Sequence, residues 1–430
     1  MLSNRYNKYK DSGIEWIGEI PDSWNINKIG QIYQERNEKV SDKEFMPLSV
    51  TKNGIVPQLE NAAKTDNGDN RKLVRQNDFV INSRSDRRGS CGISDYTGSV
   101  SLINTVLTPR KNMINQYYNF TFKSECFADE FYRWGTGIVD DLWSTKWSSM
   151  KNIYIPYPNI KEQEAIAGYL ERKCGAIDET IEKQKSVIEK LKEYKQSIIT
   201  QAVTKGLDKS APMKDSGIEW IGQISQYWDS IKLKFCSYIR ARLGWKGLKA
   251  EEYVEEGYPL LSAFNIVNSK LIFENLNFIN QFRYDESPEI KLQTNDILLV
   301  KDGAGIGKCA IVENMPIPST ANGSLAVIST NYRLVAKFLY YYFISTIFQA
   351  YIDRLKDGMG VPHLFQADLK EIQIVIPKEQ EQKNIVEFLD KKCSEIDKTI
   401  EDKEKLIEKL VEYKKSLIYE CVTGKRKVVA

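Results

Sequence analysis

The chain is written twice. Residues 10–18 read Lys-Asp-Ser-Gly-Ile-Glu-Trp-Ile-Gly, and residues 214–222 repeat those nine letters, displaced by 204. Trp24 and Trp228 keep the same displacement. A second match, displaced by 219, starts at Glu162-Gln163 and Glu381-Gln382 and runs through Cys174/Cys393, Ile177/Ile396, Asp178/Asp397, Lys195/Lys414 and Thr204/Thr423. Between these stretches the copies diverge. Asn77-Asp78-Phe79-Val80 still answers Asn295-Asp296-Ile297-Leu298 at 218, and Phe122, Ser124, Phe127 and Gly137 answer Phe343, Ser345, Phe348 and Gly358 at 221. The order is therefore variable block, constant segment, variable block, constant segment. Such a chain is built to hold one geometry while presenting two different surfaces, with pseudo-twofold symmetry.

The constant segments read as long helices. In residues 161–204, Cys174, Ile181 and Ile188 fall at seven-residue steps, and Leu170, Ile177, Leu191 and Ile198 form the second row of an a/d pattern. The second copy places Val386, Cys393, Ile400 and Ile407 on one row and Leu389, Ile396, Leu410 and Leu417 on the other. Pro158 and Pro377 end the preceding strands, and Gly206 and Gly424 follow the helices. About 44 residues at 1.5 Å each make a helix of roughly 66 Å. Its apolar stripe needs a partner, and the other copy supplies one. Gln184/Lys403 and Lys195/Lys414 interrupt the seam with polar groups that set register. An antiparallel in-chain coiled coil separating two globular blocks is expected; a helix pair that only braces a bilobed protein is the blander alternative.

The blocks themselves read as short strands with turn residues, so the fold class is α+β. With 430 residues there is material for two or three domains. The seven cysteines are scattered without a Cys-x-x-Cys pair, which argues for a reducing compartment. A single histidine, His363, removes most histidine-dependent catalytic and metal sites. A net charge of +3 neither demands nor forbids a nucleic-acid partner, which depends on local patches. The amino terminus lacks an apolar core of signal-peptide length. Leu334–Ile352 is the most membrane-like stretch. Its counterpart in the first copy contains Lys123, Glu125, Asp129 and Glu130, so a buried helix is expected in both.

Candidate contacts come from basic loops. Ser83–Ser90 carries Arg84, Arg87 and Arg88, a plausible reader of phosphate or guanine. Its counterpart runs from Lys301 to Lys308 through Gly303, Gly305 and Gly307. A phosphate-binding P-loop would need Gly where Asp302 stands and Ser or Thr where Cys309 stands, so an ATP site is rejected. Arg240, Arg242 and Lys246 beside Trp245, and Lys146 beside Trp147, add basic residues next to aromatics. His363 lies in a Gly/Pro loop. No methyltransferase tetrapeptide, glycine-rich cofactor loop or nuclease carboxylate cluster is present, which favours a non-enzyme.

The segment Asp11-Ser-Gly-Ile-Glu-Trp-Ile-Gly-Glu-Ile-Pro-Asp-Ser-Trp24, its echo at 215–228, and the Glu162-Gln163 and Glu381-Gln382 helix heads resemble type I restriction–modification specificity subunits. The resemblance covers essentially the whole chain; one small departure is Ile224-Ser-Gln-Tyr-Trp228 in place of Ile20-Pro-Asp-Ser-Trp24. It implies target-recognition domains at 1–158 (opening segment 10–24) and 207–377 (opening segment 214–228), a spacer helix at 159–206, and a second spacer helix with tail at 378–430. It also implies a non-catalytic cytoplasmic subunit reading a bipartite asymmetric site in double-stranded DNA, assembled with two methyltransferase subunits and with restriction/translocase subunits. S-adenosylmethionine would belong to the methyltransferase partner, and ATP and Mg to the restriction partner. The competing reading is a non-catalytic coiled-coil adaptor joining two protein-binding lobes.

Overall fold

A computed structural model describes residues 5–59, 68–110, 112–137, 143–242, 248–356 and 363–428. The chain divides into two compact units, residues 1–185 with 404–430 and residues 186–403. Each unit combines one globular block with part of both long helices, Ile160–Lys205 and Glu379–Val422.

Both blocks are built on a four-stranded antiparallel sheet with the same order. In the first unit Cys91–Ile93, Phe79–Asn82, Asn104–Pro109 and Tyr33–Glu35 lie side by side. In the second, Cys309–Ile311, Ile297–Val300, Leu325–Thr330 and Ser237–Arg240 take those places. The short apolar runs at their centres are continuous because the sheet is covered on both faces, and successive side chains serve opposite cores. Phe79 and Ile81 join the helix-side core, while Val80 and Val106 face a smaller core with Leu48, Ile55, Val74 and Val100. Ile297 and Leu299 likewise face the helices, and Leu298 and Val300 face the opposite core. The copies differ in the flanking sheet. Its three strands are antiparallel in the first unit, whereas Tyr258–Leu261 pairs parallel with Thr320–Ala321 in the second.

The membrane-like stretch is two helices where one was expected, Ala336–Ile344 and Thr346–Lys356. Ser345 breaks it: its hydroxyl donates to Tyr342 O at 2.6 Å and accepts from Phe348 N at 3.4 Å. Ser124 does the same between Asn115–Lys123 and Glu125–Arg133, donating to Thr121 O and capping Phe127 N. A hydroxyl that satisfies both a finishing and a starting helix explains why this serine recurs in the two copies. Among the described residues no helix is long and apolar enough to cross a membrane.

The long helices pair in the antiparallel sense. In the first unit Leu170, Cys174, Ile177 and Ile181 are buried in one core with Leu417, and Ile407 and Leu410 pack against it half-buried. In the second unit Leu389 and Cys393 are core residues, Ile188 and Ile396 are buried, and Leu191 and Ile400 are half-buried. Ile198 is half-buried and its neighbour Ile199 takes the fully buried place, a rotation that brings the helix end onto the globular block. The seam lysines are paired: Lys195 Nζ lies 2.6 Å from Asp397 Oδ1, and Lys414 Nζ lies 2.6 Å from Asp178 Oδ2. Each ion pair joins the same two positions of the repeat crosswise.

Candidate nucleic-acid interface

The residues shared by both copies hold the scaffold. Trp24 Nε1 donates to Glu162 Oε1 at 3.3 Å, and Trp228 Nε1 donates to Glu381 Oε1 at 3.0 Å, with both indoles fully buried. The neighbouring glutamines are buried cross-ties. Gln163 donates to Pro158 O at 2.8 Å and accepts from Ile114 N at 2.9 Å; Gln382 donates to Pro377 O at 3.0 Å and accepts from Val335 N at 2.8 Å. Opening segment, last strand and helix head are thereby locked together in each unit.

This distinction sorts the basic candidates. Arg240 was expected on DNA, but its Nη2 lies 2.9 Å from the buried Asp296 Oδ2 and 2.9 Å from Ser329 Oγ. Arg36, displaced by 204, binds Asp78 through Nε at 2.7 Å and Nη2 at 3.1 Å. A pair present in both copies is a strut of the sheet. Arg242 is only 8% exposed and packs near Ser287; burial, and then the neighbouring Arg283 charge, pull its guanidinium below the ordinary value. Lys301 is ion-paired with Asp302 at 2.6 Å and mostly buried. His363 Nδ1 contacts the other Asp302 oxygen, and a β-bridge joins those two residues, so the histidine anchors a loop. Arg240, Arg242 and Lys301 are thus committed internally, because basic letters alone do not separate a paired cation from a free one. Lys246 lies outside the described residues.

The remaining candidates face outward. Arg84, Arg87 and Arg88 sit on the 3₁₀ turn Ser85–Arg87 and its flanks. Arg87 is 67% exposed at its side chain, with Asp86 at 3.6 Å, and Arg88 pairs with the exposed Asp129. Such exposed pairs cost little to open. The turn is tied to the segment before Lys146 by an Arg84–Ser144 bridge and by Thr145 N donating to Ser83 O at 2.9 Å. Lys146 and Lys308 are exposed.

Each unit also carries an open groove at the same place, between the sheet's edge strand and a short helix. In the first it is about 780 Å³ and runs from Glu35 and Asn37 across to Lys146, Trp147 and Lys151 on Trp147–Met150 and its ends. In the second it is about 470 Å³, between Tyr238–Ala241 and Gln366 and Lys370 on Gln366–Glu371. Glu35/Ile239, Asn37/Ala241, Trp147/Gln366 and Lys151/Lys370 are repeat-equivalent, at displacements of 204 and 219. Sequence reading passed over these grooves. The Lys151/Lys370 match at the helix displacement was the available signal. Among the described residues no cluster of three His, Cys, Asp or Glu side chains is placed to hold a metal ion.

Fold and surfaces define an α+β protein that presents two unlike faces from one repeated scaffold. Residues 244–410 match the type I restriction modification DNA specificity domain. The chain is 25% identical over 429 residues to the type I restriction enzyme MjaVIII specificity subunit of Methanocaldococcus jannaschii, covering 95% of this chain and 94% of that one. It is 24% identical to the EcoBI specificity subunit of Escherichia coli over 55% of this chain and 51% of that one. Its fold superposes on a chain of a type I R-M system with a TM-score of 0.73 at 13% identity, covering 94% and 98% of the two chains. The HsdS subunit from Thermoanaerobacter tengcongensis gives 0.55 at 14% identity, again over 94% and 98%. The chain is thus similar, along nearly its whole length, to type I restriction enzyme specificity subunits, and its residues 244–410 match that DNA specificity domain.

Proposed function

We propose that this chain is the DNA-reading subunit of a type I restriction–modification complex, each unit binding one half of a bipartite asymmetric site. The paired helices set the spacing and scaffold two methyltransferase subunits, and restriction/translocase subunits where present. The observation that carries this reading is the contrast within the repeat. Trp–Glu, Gln and Arg–Asp struts recur in both copies, while the loop after the central strand changes from three arginines at 84–88 to a glycine-rich, mostly half-buried or buried stretch at 302–307. A shared scaffold with unlike faces suits two different half-sites. Arg84, Arg87, Arg88, Lys146 and Lys308, which face outward, are our candidates for phosphate or base contact. S-adenosylmethionine belongs to the methyltransferase partner and ATP with Mg to the restriction partner, in the cytoplasm.

The test is the salt dependence of duplex binding by the assembled complex. Neutralising several phosphates makes affinity fall on the order of 10³-fold between about 50 and 200 mM salt. A flat response removes the DNA reading and leaves the protein-binding adaptor.

A further inference from the structure

We infer that the two repeat-equivalent grooves are where the half-sites are read, and that their unlike linings select different base chemistry; this rests on the DNA reading above. Lys151 and Lys370 stand at the same repeat position, both exposed, and among the described residues neither has a carboxylate at ion-pair distance. A residue that is identical in both grooves cannot distinguish two half-sites. A lysine there does what both halves need, which is to neutralise a phosphate.

The positions that diverge carry the discrimination. The first groove offers Asn37 and Lys146, both exposed hydrogen-bonding side chains. Asparagine pairs with the N6/N7 edge of adenine and lysine with the O6/N7 edge of guanine, so this groove takes purines through their hydrogen-bonding edges. In the second groove the place of Asn37 is Ala241, and the position equivalent to Lys146 is Phe365, 60% exposed and next in the chain to Gln366 of the groove lining. Tyr238 on the edge strand is 76% exposed and lines the same groove. Large aromatic side chains left this open beside an unpaired lysine suit apolar contact, and the thymine methyl is the apolar group in the major groove.

The experiment is selection of bound duplexes from a randomised pool by the full chain, followed by affinity measurements on the selected duplex. Asn37→Ala with Lys146→Ala relaxes purine preference about tenfold in one half of the motif and leaves the other half unchanged. Tyr238→Ala with Phe365→Ala relaxes only the second half. Replacing thymine by uracil there weakens the unsubstituted chain severalfold and the aromatic variant not at all. Lys151→Ala and Lys370→Ala weaken all duplexes alike and lower the salt slope by about one each. All six residues are exposed, and thermal melts confirm folding. A two-part motif whose base preferences survive both double variants overturns the groove assignment while keeping the DNA reading. A chain that selects no motif overturns both.

Discussion

The Arg240 guanidinium sits 2.9 Å from the Asp296 carboxylate through Nη2, and 204 residues earlier Arg36 pairs with Asp78 through both Nε and Nη2. Both carboxylates are almost fully buried. Removing one partner of a buried pair leaves a desolvated charge, so Arg36→Ala and Arg240→Ala each cost about 2–4 kcal/mol by urea unfolding. The folded Arg240→Ala protein keeps the salt slope of DNA binding unchanged. A reduced slope would return Arg240 to the DNA surface.

The glycines that end the long helices differ in what they tolerate. Gly424 has φ +75°, and an added Cβ would lie 2.3 Å from Pro21 Cδ. Gly206 has φ +79° with its nearest new neighbours beyond 3 Å, at Glu381 and Trp228. Gly424→Ala therefore destabilises by at least about 2 kcal/mol, and Gly206→Ala by about 1–2 kcal/mol. Gly175, exposed inside the first long helix with open space around it, gives the opposite sign: Gly175→Ala stabilises by roughly 0.5–1 kcal/mol. Thermal or urea unfolding of the three variants checks the order.

The seam ion pairs orient the helices more than they stabilise them. Lys195 and Asp397 are partly exposed, at 23% and 40% of their side chains. A double-mutant cycle of Lys195→Ala and Asp397→Ala yields a coupling of about 0.5–1 kcal/mol that shrinks in 1 M salt. Exchanging the charges, Lys195→Asp with Asp397→Lys, recovers part of it. Zero coupling at low salt would show the seam to be held by its apolar rows alone.

Buried thiols make this protein less stable at alkaline pH. Burial pushes Cys91, Cys236 and Cys421 from the ordinary 9.0 up to about 12. Between those values the unfolded chain has released protons that the folded chain still holds. The contribution is therefore complete below pH 9 and is lost as pH rises toward 12. Replacing the three by Ala lowers overall stability but flattens part of that fall. At pH 8 the same thiols stay unmodified by alkylating reagents until urea is added.

Much of this architecture is legible in the letters because the repeat compares the protein with itself. Nine identical residues and two shared tryptophans mark the opening segments, and the heptads at 161–204 lie within the observed helix Ile160–Lys205. The break at Ser345 was hidden because aromatic residues flank it on both sides, and only its hydroxyl, capping Phe348 N, reveals two helices. The basic candidates were the least legible. Arg240 and Arg242 look like contacts by charge, yet they answer carboxylates or lie buried far away in sequence, such as Asp296 beside Arg240. Arg36 matching Arg240 at 204 was the visible warning, since an arginine common to both copies together with a common aspartate, Asp78 and Asp296, belongs to the frame. The grooves assemble from strand and helix residues more than a hundred positions apart, as with Asn37 and Lys146, so no local pattern points to them.

DNA reading by this chain is decided by a map of methylated adenines in cells expressing it with its methyltransferase partner, against cells without the chain. A two-part motif appears only with the chain, and one half changes when residues of a single block are exchanged. Expressed and assembled proteins that leave no chain-dependent motif would contradict that reading.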